Sequence, residues 1–289
     1  MPRTVNGLRR MADGAYVLRD DLRHRGYPHP GFPFSLRYVR NHRSFLTSVL
    51  DDSELVSCIG AGDPPDAYGV GFDERVVEYP WVLDQAPFGR LLDAGSVLNH
   101  RHVLPRFRPH AEELTIVTLA PEPDSFPELG VSYVFADLRQ LPFRDGWFDT
   151  VVCVSTLEHV GMDNRRFGGG DARGGDPGRE ATRAVAEMRR VLRPGGRLLI
   201  TVPYGAPEDH GWLRQFTRQE IEELLAGAEA SIADVQVYAY SRRGWQASGL
   251  EAASEARYGD GLVPGEGLSA VDLAAGARAV ACLRLSWSG

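Results

Sequence analysis

From residue 90 onward, the chain alternates short runs of β-branched and other apolar residues with segments of helical periodicity. This alternation is typical of βαβ units and of a parallel sheet. Seven runs have the pattern of strands: residues 90–95, 113–120, 131–137, 148–160, 197–205, 233–240 and 277–287. The core of the fourth run is too apolar to face water, which predicts a strand buried on both faces. The sequence therefore predicts an α/β protein with a seven-stranded sheet.

Two segments between these runs have clear helical signals. Residues 180–192 place apolar side chains at helical spacing and are followed by Pro-Gly-Gly, which stops a helix. Thr217, with Glu220 three residues later, has the pattern of a capping box at the start of a second helix.

The remaining segments predict the domain organisation. Two irregular, glycine-bearing insertions cover residues 161–179 and 241–276, where an α/β fold either covers its ligand with a lid or decorates an edge. We expect lids. Residues 1–84 are expected to form an N-terminal helical or cap segment, and residues 85–289 the main domain.

Composition and charge narrow the function classes. The 289 residues are 43% hydrophobic, enough for one large core. The formal net charge of −7 disfavours long nucleic acids and anionic membranes as partners, and we expect the arginine-rich residues 101–110 to be a solvated face. No signal peptide and no apolar run of ~20 residues is evident, so a soluble, cytoplasmic protein is expected. The three cysteines match no zinc pattern.

The first predicted strand runs into the stretch "LLDAGSVLN", which contains a single glycine, Gly95. A dinucleotide-binding loop needs further glycines at fixed spacing to admit the pyrophosphate, so a nicotinamide or flavin dinucleotide is disfavoured. A ligand without phosphates fits better, with its amino group near the carboxylate of Asp93 and its own carboxylate on backbone amides.

Three motifs in order make residues 90–204 similar to the class I S-adenosylmethionine-dependent methyltransferases. These motifs are "LLDAGS", "ADLRQLPFRDGWFDTVVCVSTLEHV" and "EMRRVLRPGGRLLITVP". "VEYPW" and "EHVGMDN" further resemble methyltransferases of bacterial glycan and secondary-metabolite clusters. The resemblance implies a Rossmann-like sheet with helices on both faces, an antiparallel last strand and S-adenosylmethionine as the cofactor.

The resemblance also implies roles for individual residues. The methionine end of the cofactor would lie near Asp93, Ala94, Gly95 and Ser96, with Glu78 reaching it from the preceding segment. Asp137 and Leu138 would bind the adenine, and Ser155 and Thr156 would lie under the sulfonium. The family usually has an acid at the end of the second strand for the ribose; residues 118–120 lack one, so Glu122 or water would serve.

Methyl transfer to a hydroxyl or amine needs a group that takes up a proton. His159, at the end of the fourth strand, is the predicted base, and Glu158 is the predicted orienting group or second candidate. The residues predicted to contact the substrate are Asp163, Asp209, His210, Trp212 and Trp245. The acids and histidines here would permit a magnesium site, but such sites prefer several carboxylates, so none is predicted.

Aromatic residues near the second insertion suit sugar rings or cations, and the acidic balance favours a cationic aminosugar. Together with the glycan-cluster resemblance, this predicts methyl transfer to a small saccharide acceptor: a glycan, an aminoglycoside or another glycosylated natural product. A methyltransferase with a non-sugar acceptor and a catalytically silent regulatory or scaffold protein are the alternatives. A nicotinamide oxidoreductase is the least favoured.

Overall fold

Eight strands form one sheet in the computed structural model, which describes residues 33–170, 175–259 and 276–287. They are β1 (Gly89–Ala94), β2 (Ala111–Thr118), β3 (Val131–Phe135), β4 (Phe148–Val154), β5 (Leu192–Pro203), β6 (Ile232–Ser241), β7 (Gly244–Ser248) and β8 (Ala279–Ser286). Their order across the sheet is β3-β2-β1-β4-β5-β8-β6-β7. Strands β1 to β5 pair in parallel, whereas β8 lies antiparallel between β5 and β6.

The Rossmann-like α/β fold and the antiparallel last strand are thus confirmed, but the predicted number of seven strands is wrong. The eighth strand, β7, lies inside the segment 241–276 and pairs antiparallel with β6 through a two-residue turn. Its five residues, "GWQAS", are too few to show the period-two alternation that predicts a strand.

Four of the six described helices begin at a residue whose side chain caps the helix. They are α1 (Leu36–Leu50), α2 (Ser53–Gly60), α3 (Arg75–Leu83), α4 (Leu104–Phe107), α5 (Pro177–Val191) and α6 (Arg218–Ala228). The predicted capping box is confirmed at the start of α6: the Thr217 hydroxyl accepts from the Glu220 amide, and the Glu220 carboxylate accepts from the Thr217 amide. None of the described helices is long and apolar enough to cross a membrane.

The sheet separates two hydrophobic clusters, as alternation along β4 shows. Val152 and Val154 pack with the N-terminal helices α1, α2 and α3, whereas Val151 and Cys153 pack with α5 and α6. The predicted burial of this strand on both faces is therefore confirmed. The N-terminal helices share one apolar cluster with the sheet.

Residues 67–72, which precede α3, lie against the edge strand β7. The Trp245 amide donates to the Tyr68 carbonyl at 2.8 Å, and its indole N–H donates to the Phe72 carbonyl at 3.0 Å. Trp245 has no exposed surface. It joins the N-terminal segment to the sheet and is a core residue.

Replacing Trp245 with alanine should lower the free energy of unfolding by about 3 to 5 kcal/mol, because a fully buried indole and its hydrogen bond are lost. Urea denaturation followed by circular dichroism measures the loss. The control is Trp147→Ala: Trp147 is only half-buried, between Arg90 and Arg144, and its loss should be smaller. Equal losses in the two variants would contradict the assignment of Trp245 to the core.

Candidate functional site

A cavity of about 750 Å³ opens at the carboxyl ends of β1 to β4. Its wall consists of the loop after β1, the turn after β2, the segment after β3 and the end of β4, and it is closed on one side by residues 164–170. The carboxyl edge of the parallel strands is where open α/β sheets bind ligands.

Gly95 makes the turn after β1 possible, close to the end of β4. Its φ of +126° is unfavourable for other residues, and a Cβ atom there would lie 2.2 Å from the Thr156 Oγ1. The following residue, Ser96, also has a left-handed φ of 65°. Gly95, Ser96 and Thr156 therefore meet on the cavity wall, and their roles at the methionine end and the sulfonium stay a prediction.

Asp93 lies beneath this loop and, like Ala94, does not reach the cavity wall. Its Oδ2 accepts from the Leu98 amide at 2.9 Å, but its buried Oδ1 has no hydrogen-bond partner among the described residues. Burial raises the pKa of this carboxyl to about 7. A buried oxygen without a partner fits a hydrogen-bond donor such as a ligand amine or an ordered water. The amino group of a cofactor's amino-acid end, bound above the loop, would meet this need.

Glu122 lies beside the glycine loop on the cavity wall. Its Oε1 accepts from the hydroxyls of Ser96 and Thr118, and its Oε2 accepts from the Asn99 side-chain amide at 2.7 Å. The chain turns back after β2, so that this carboxylate lies next to the strand end. Glu122, the predicted substitute for the missing acid, therefore lies on the cavity wall beside the end of β2.

Asp137 and Leu138, the predicted adenine contacts, both line the cavity after β3. The Asp137 carboxylate accepts from the Arg139 amide at 2.8 Å and from its guanidinium, which also pairs with Glu180. Burial raises the pKa of Asp137, but these hydrogen bonds outweigh it and keep the pKa below its ordinary value. A carboxylate is therefore present at this end of the cavity.

Glu78 is fully buried and does not line the cavity. Its Oε1 accepts from the hydroxyls of Ser155 and Thr201, both at 2.6 Å, and its Oε2 accepts from Arg75. Of its partners, Arg75 and Ser155 line the wall. Glu78 thus orients Arg75 and Ser155 from behind, and a direct contact of Glu78 with the cofactor is not proposed.

His159 reaches the cavity from the short 3-10 turn Leu157–His159 after β4. Its Nδ1 lies 2.8 Å from the Trp212 carbonyl oxygen. Because a carbonyl only accepts, Nδ1 carries the proton in the neutral ring and Nε2 has the lone pair. The pKa of His159 is lowered to about 4, chiefly by burial and also by the cations Arg75 and Arg166, while the hydrogen bond to the Trp212 carbonyl opposes the shift. His159 is therefore a neutral proton acceptor at pH 7.

Glu158 differs from the sequence-based expectation. It is buried off the cavity wall, its Oε2 has no partner among the described residues, and its Oε1 lies 3.9 Å from the His159 Nε2, beyond hydrogen-bond distance. Burial raises its pKa well above the ordinary value, so the group is a neutral acid. The Trp212 carbonyl, rather than Glu158, orients the histidine.

All five residues predicted to contact the substrate lie off this cavity wall. Asp163 pairs with Arg165. Asp209 accepts from the Gly211 amide and lines a different cavity between α5 and α6. His210 lies 3.5 Å from Glu208.

Of the two predicted tryptophans, Trp212 stacks on His159, with ring centroids 5.3 Å apart, and supports the wall from behind. Trp245 is in the core, as described above. No group of three acidic, histidine or cysteine side chains suited to a metal ion occurs in the described residues.

Residues 164–170, within the first predicted insertion, lie across the cavity. The Asn164 side chain donates to the carbonyls of His159 and Met162, which fixes the start of the segment. At the far end, a Cβ on Gly168 would lie 2.7 Å from the Ala120 Cβ after β2. The glycines therefore allow this segment to lie against the end of the second strand.

Sequence reasoning missed several wall residues, chiefly His100, Arg166 and Phe167. His100 directly precedes residues 101–110, which the sequence predicted as a solvated face. The available signal for the other two was an arginine and an aromatic residue directly before three glycines, in an insertion that the sequence placed near the ligand.

Comparison with known proteins identifies the class of this domain. Residues 104–200 match a family described as "Methyltransferase domain". The chain carries a class I, S-adenosylmethionine-dependent methyltransferase domain. The resemblance to methyltransferases read from the sequence motifs is therefore confirmed, whereas the resemblance to glycan and secondary-metabolite clusters stays a prediction.

Curated relatives of the methyltransferase domain have different acceptors. A tRNA (carboxymethyluridine(34)-5-O)-methyltransferase of Arabidopsis thaliana is 31% identical over 88 residues, which are 30% of this chain and 18% of that protein. A ubiquinone/menaquinone biosynthesis C-methyltransferase of Psychromonas ingrahamii is 33% identical over 96 residues, 29% of this chain and 31% of that protein. The chain thus spans less than a third of the length of these relatives.

Among solved structures, the 1,6-didemethyltoxoflavin-N1-methyltransferase of Burkholderia thailandensis, with bound 1,6-didemethyltoxoflavin and S-adenosylhomocysteine, is 18% identical. It covers 87% of this chain and 89% of its own, with a TM-score of 0.46. The YcgJ protein of Bacillus subtilis is 16% identical and covers 73% of this chain and 99% of its own, with a TM-score of 0.45.

Asp93→Asn should reduce the pH dependence of stability. The unfolded carboxyl loses its proton near its ordinary pKa of about 3.9, whereas the folded one keeps it up to about 7. The wild-type free energy of unfolding therefore falls as pH rises through this window and stays lower above it. Relative to wild type, the variant should gain about 2 to 4 kcal/mol between about pH 4 and pH 8 in urea titrations. A gain independent of pH would contradict the raised pKa.

The His159 ring should remain neutral down to about pH 5, since burial lowers its pKa to about 4. Heteronuclear NMR of the histidine Cε1–H signals between pH 8 and pH 4 measures this, and the signal absent from His159→Gln identifies the residue. A midpoint near the ordinary histidine value of about 6.5 would contradict it.

Proposed function

We propose that the protein transfers a methyl group from S-adenosylmethionine to a hydroxyl or amine of a small acceptor, with His159 as the base. The observation that carries this proposal is the neutral His159 ring on the cavity wall, in the same wall as Ser155 and Thr156. The alternative of a silent scaffold protein would have the predicted base turned away from the cavity.

Residues of the chain fit the parts of the cofactor. Arg75 and the loop from Gly95 would hold the amino-acid end, and the unpaired Asp93 oxygen beneath the loop would reach its amino group directly or through an ordered water. Glu122 would accept from the ribose hydroxyls, and Asp137 from the adenine amino group. When bound, S-adenosylmethionine supplies a methyl group that its sulfonium already activates.

The protein then has to align the acceptor, exclude water and remove one proton. The Nε2 of His159 accepts the proton of the hydroxyl or ammonium group, while the Trp212 carbonyl holds the ring through Nδ1. The resulting imidazolium would be acidic in this buried site and would return its proton readily to water. Residues 164–170 cover the cavity and limit access of water.

A small acceptor suits the cavity of about 750 Å³ better than a tRNA. The net charge of −7 also disfavours a polyanion. The prediction of a saccharide acceptor is supported by fewer aromatic residues than the sequence suggested, because Trp245 lies in the core and not at the cavity. The aromatic side chain that remains on the wall is Phe167, which is 44% exposed.

Calorimetric titration with S-adenosylhomocysteine tests the cofactor assignment. Wild type should bind it at micromolar concentration and should not bind nicotinamide dinucleotides. Glu122→Gln should weaken binding about tenfold, since a ribose hydrogen bond to a charged acceptor is worth roughly 1.5 kcal/mol. The control Glu128→Gln changes a nearby carboxylate that pairs with Arg101 and is not on the wall. No binding by wild type, or equal effects of both variants, would contradict the assignment.

A further inference from the structure

We propose that the acceptor carries an anionic group, a carboxylate or a phosphate ester, which Arg166 binds while the accepting atom faces His159. This inference rests on the proposed function and narrows its substrate class.

The carboxylates on the cavity wall lie at one end of the cavity, where Arg139 pairs with one of them, Asp137. Among the described wall residues, the carboxylates are Glu122 and Asp137, both on the side assigned to the cofactor. Each already accepts several hydrogen bonds within the protein. The wall near His159 has instead Arg166 and Arg75, and no carboxylate from the described residues. A cationic acceptor would find no counter-charge there.

Arg166 differs from Arg75 in its partners. Arg75 forms an ion pair with the buried Glu78 and lies 4.0 Å from Glu74, so much of its charge is compensated. Arg166 has no acidic partner within 4.0 Å in the described parts of the chain. Its guanidinium lies over the Trp212 ring, 4.0 Å from the ring centroid. Stacking orients the guanidinium plane and leaves its N–H edges for a planar anion.

The position of Arg166 relative to the base limits the acceptor further. The same Trp212 indole contacts the Arg166 guanidinium and stacks on the His159 ring at 5.3 Å. The base and the free cation are therefore close neighbours on one wall. An acceptor that meets both has its anionic group only a few atoms away from the hydroxyl or amine that is methylated.

The local charge opposes the net charge of the protein. The chain as a whole is at −7, which led the sequence analysis to favour a cationic aminosugar. The wall near His159 has the opposite sign, since Arg166 and Arg75 line it and no carboxylate of the described residues does. A cavity with low-dielectric walls responds to the groups that line it more than to distant surface charges.

Matched ligands test the charge of the acceptor. Protein saturated with S-adenosylhomocysteine is titrated calorimetrically with D-glucuronate, D-glucose, D-glucosamine and D-glucose 6-phosphate. A second series uses 4-hydroxybenzoate, 4-hydroxybenzamide and 4-hydroxybenzylamine. In at least one series, the anion should bind about tenfold or more tightly than its neutral and cationic analogues. Glucuronate and glucose 6-phosphate distinguish carboxylate from phosphate recognition.

Arg166→Gln should abolish this preference, and Arg166→Lys should retain part of it, because lysine keeps the charge but not the planar fork. The control is Arg144→Gln. Arg144 also stacks on a tryptophan, Trp147, with 4.1 Å to the ring centroid, but it does not line the cavity. The anion preference should survive in this control.

Several results would overturn the inference: tighter binding of a cationic analogue, no saturable binding of any anion up to about 10 mM, or an anion preference that persists in Arg166→Gln. Binding of S-adenosylhomocysteine is measured first in each protein. If wild type does not bind it, the proposed function fails; if it binds but charge makes no difference, only the acceptor inference fails.

Discussion

The buried carboxylate of Glu78 is the constraint on which the geometry of the site depends. It accepts hydrogen bonds from Arg75 on its own helix, from Ser155 after β4 and from Thr201 in β5. Removing one partner of such a buried charge typically costs about 3 to 5 kcal/mol, because the remaining group is left uncompensated. The same contact holds Ser155 at a φ of 36°, a value that non-glycine residues rarely adopt. One buried anion thus fixes an N-terminal helix and two strand ends together at the wall of the cavity.

Much of the fold could be predicted because hydrophobic periodicity and capping are local. The parallel strands, the capping box at Thr217 and the central burial of β4 depend on residues close together in the chain. The sheet edge could not be predicted, because β7 is specified by contacts with residues far away, such as that between Trp245 and Phe72. From the sequence alone, a tryptophan in a glycine-bearing segment that faces a ligand cannot be distinguished from one that packs in the core.

The candidate site shows the same division. The motifs placed Gly95, Asp137 and His159 on one cavity, since each follows a parallel strand and the strand ends meet at one edge. Sequence alone could not assign protonation, which depends on burial. Asp93 and Glu158 are both buried acids with raised pKa values, and neither is on the wall. The floor of the cavity therefore carries less negative charge than its acidic residues suggest.

The edge strand β7 has a structural consequence for the N-terminal segment. β6 covers one side of β7, and residues 67–72 lie against it on the other, where the Tyr68 carbonyl accepts from Trp245. Exposed strand edges are templates for pairing with other chains. A chain without residues 33–83 would uncover both this edge and the apolar residues beneath α1 to α3. The N-terminal segment therefore shields a strand edge of its own sheet from pairing with other chains.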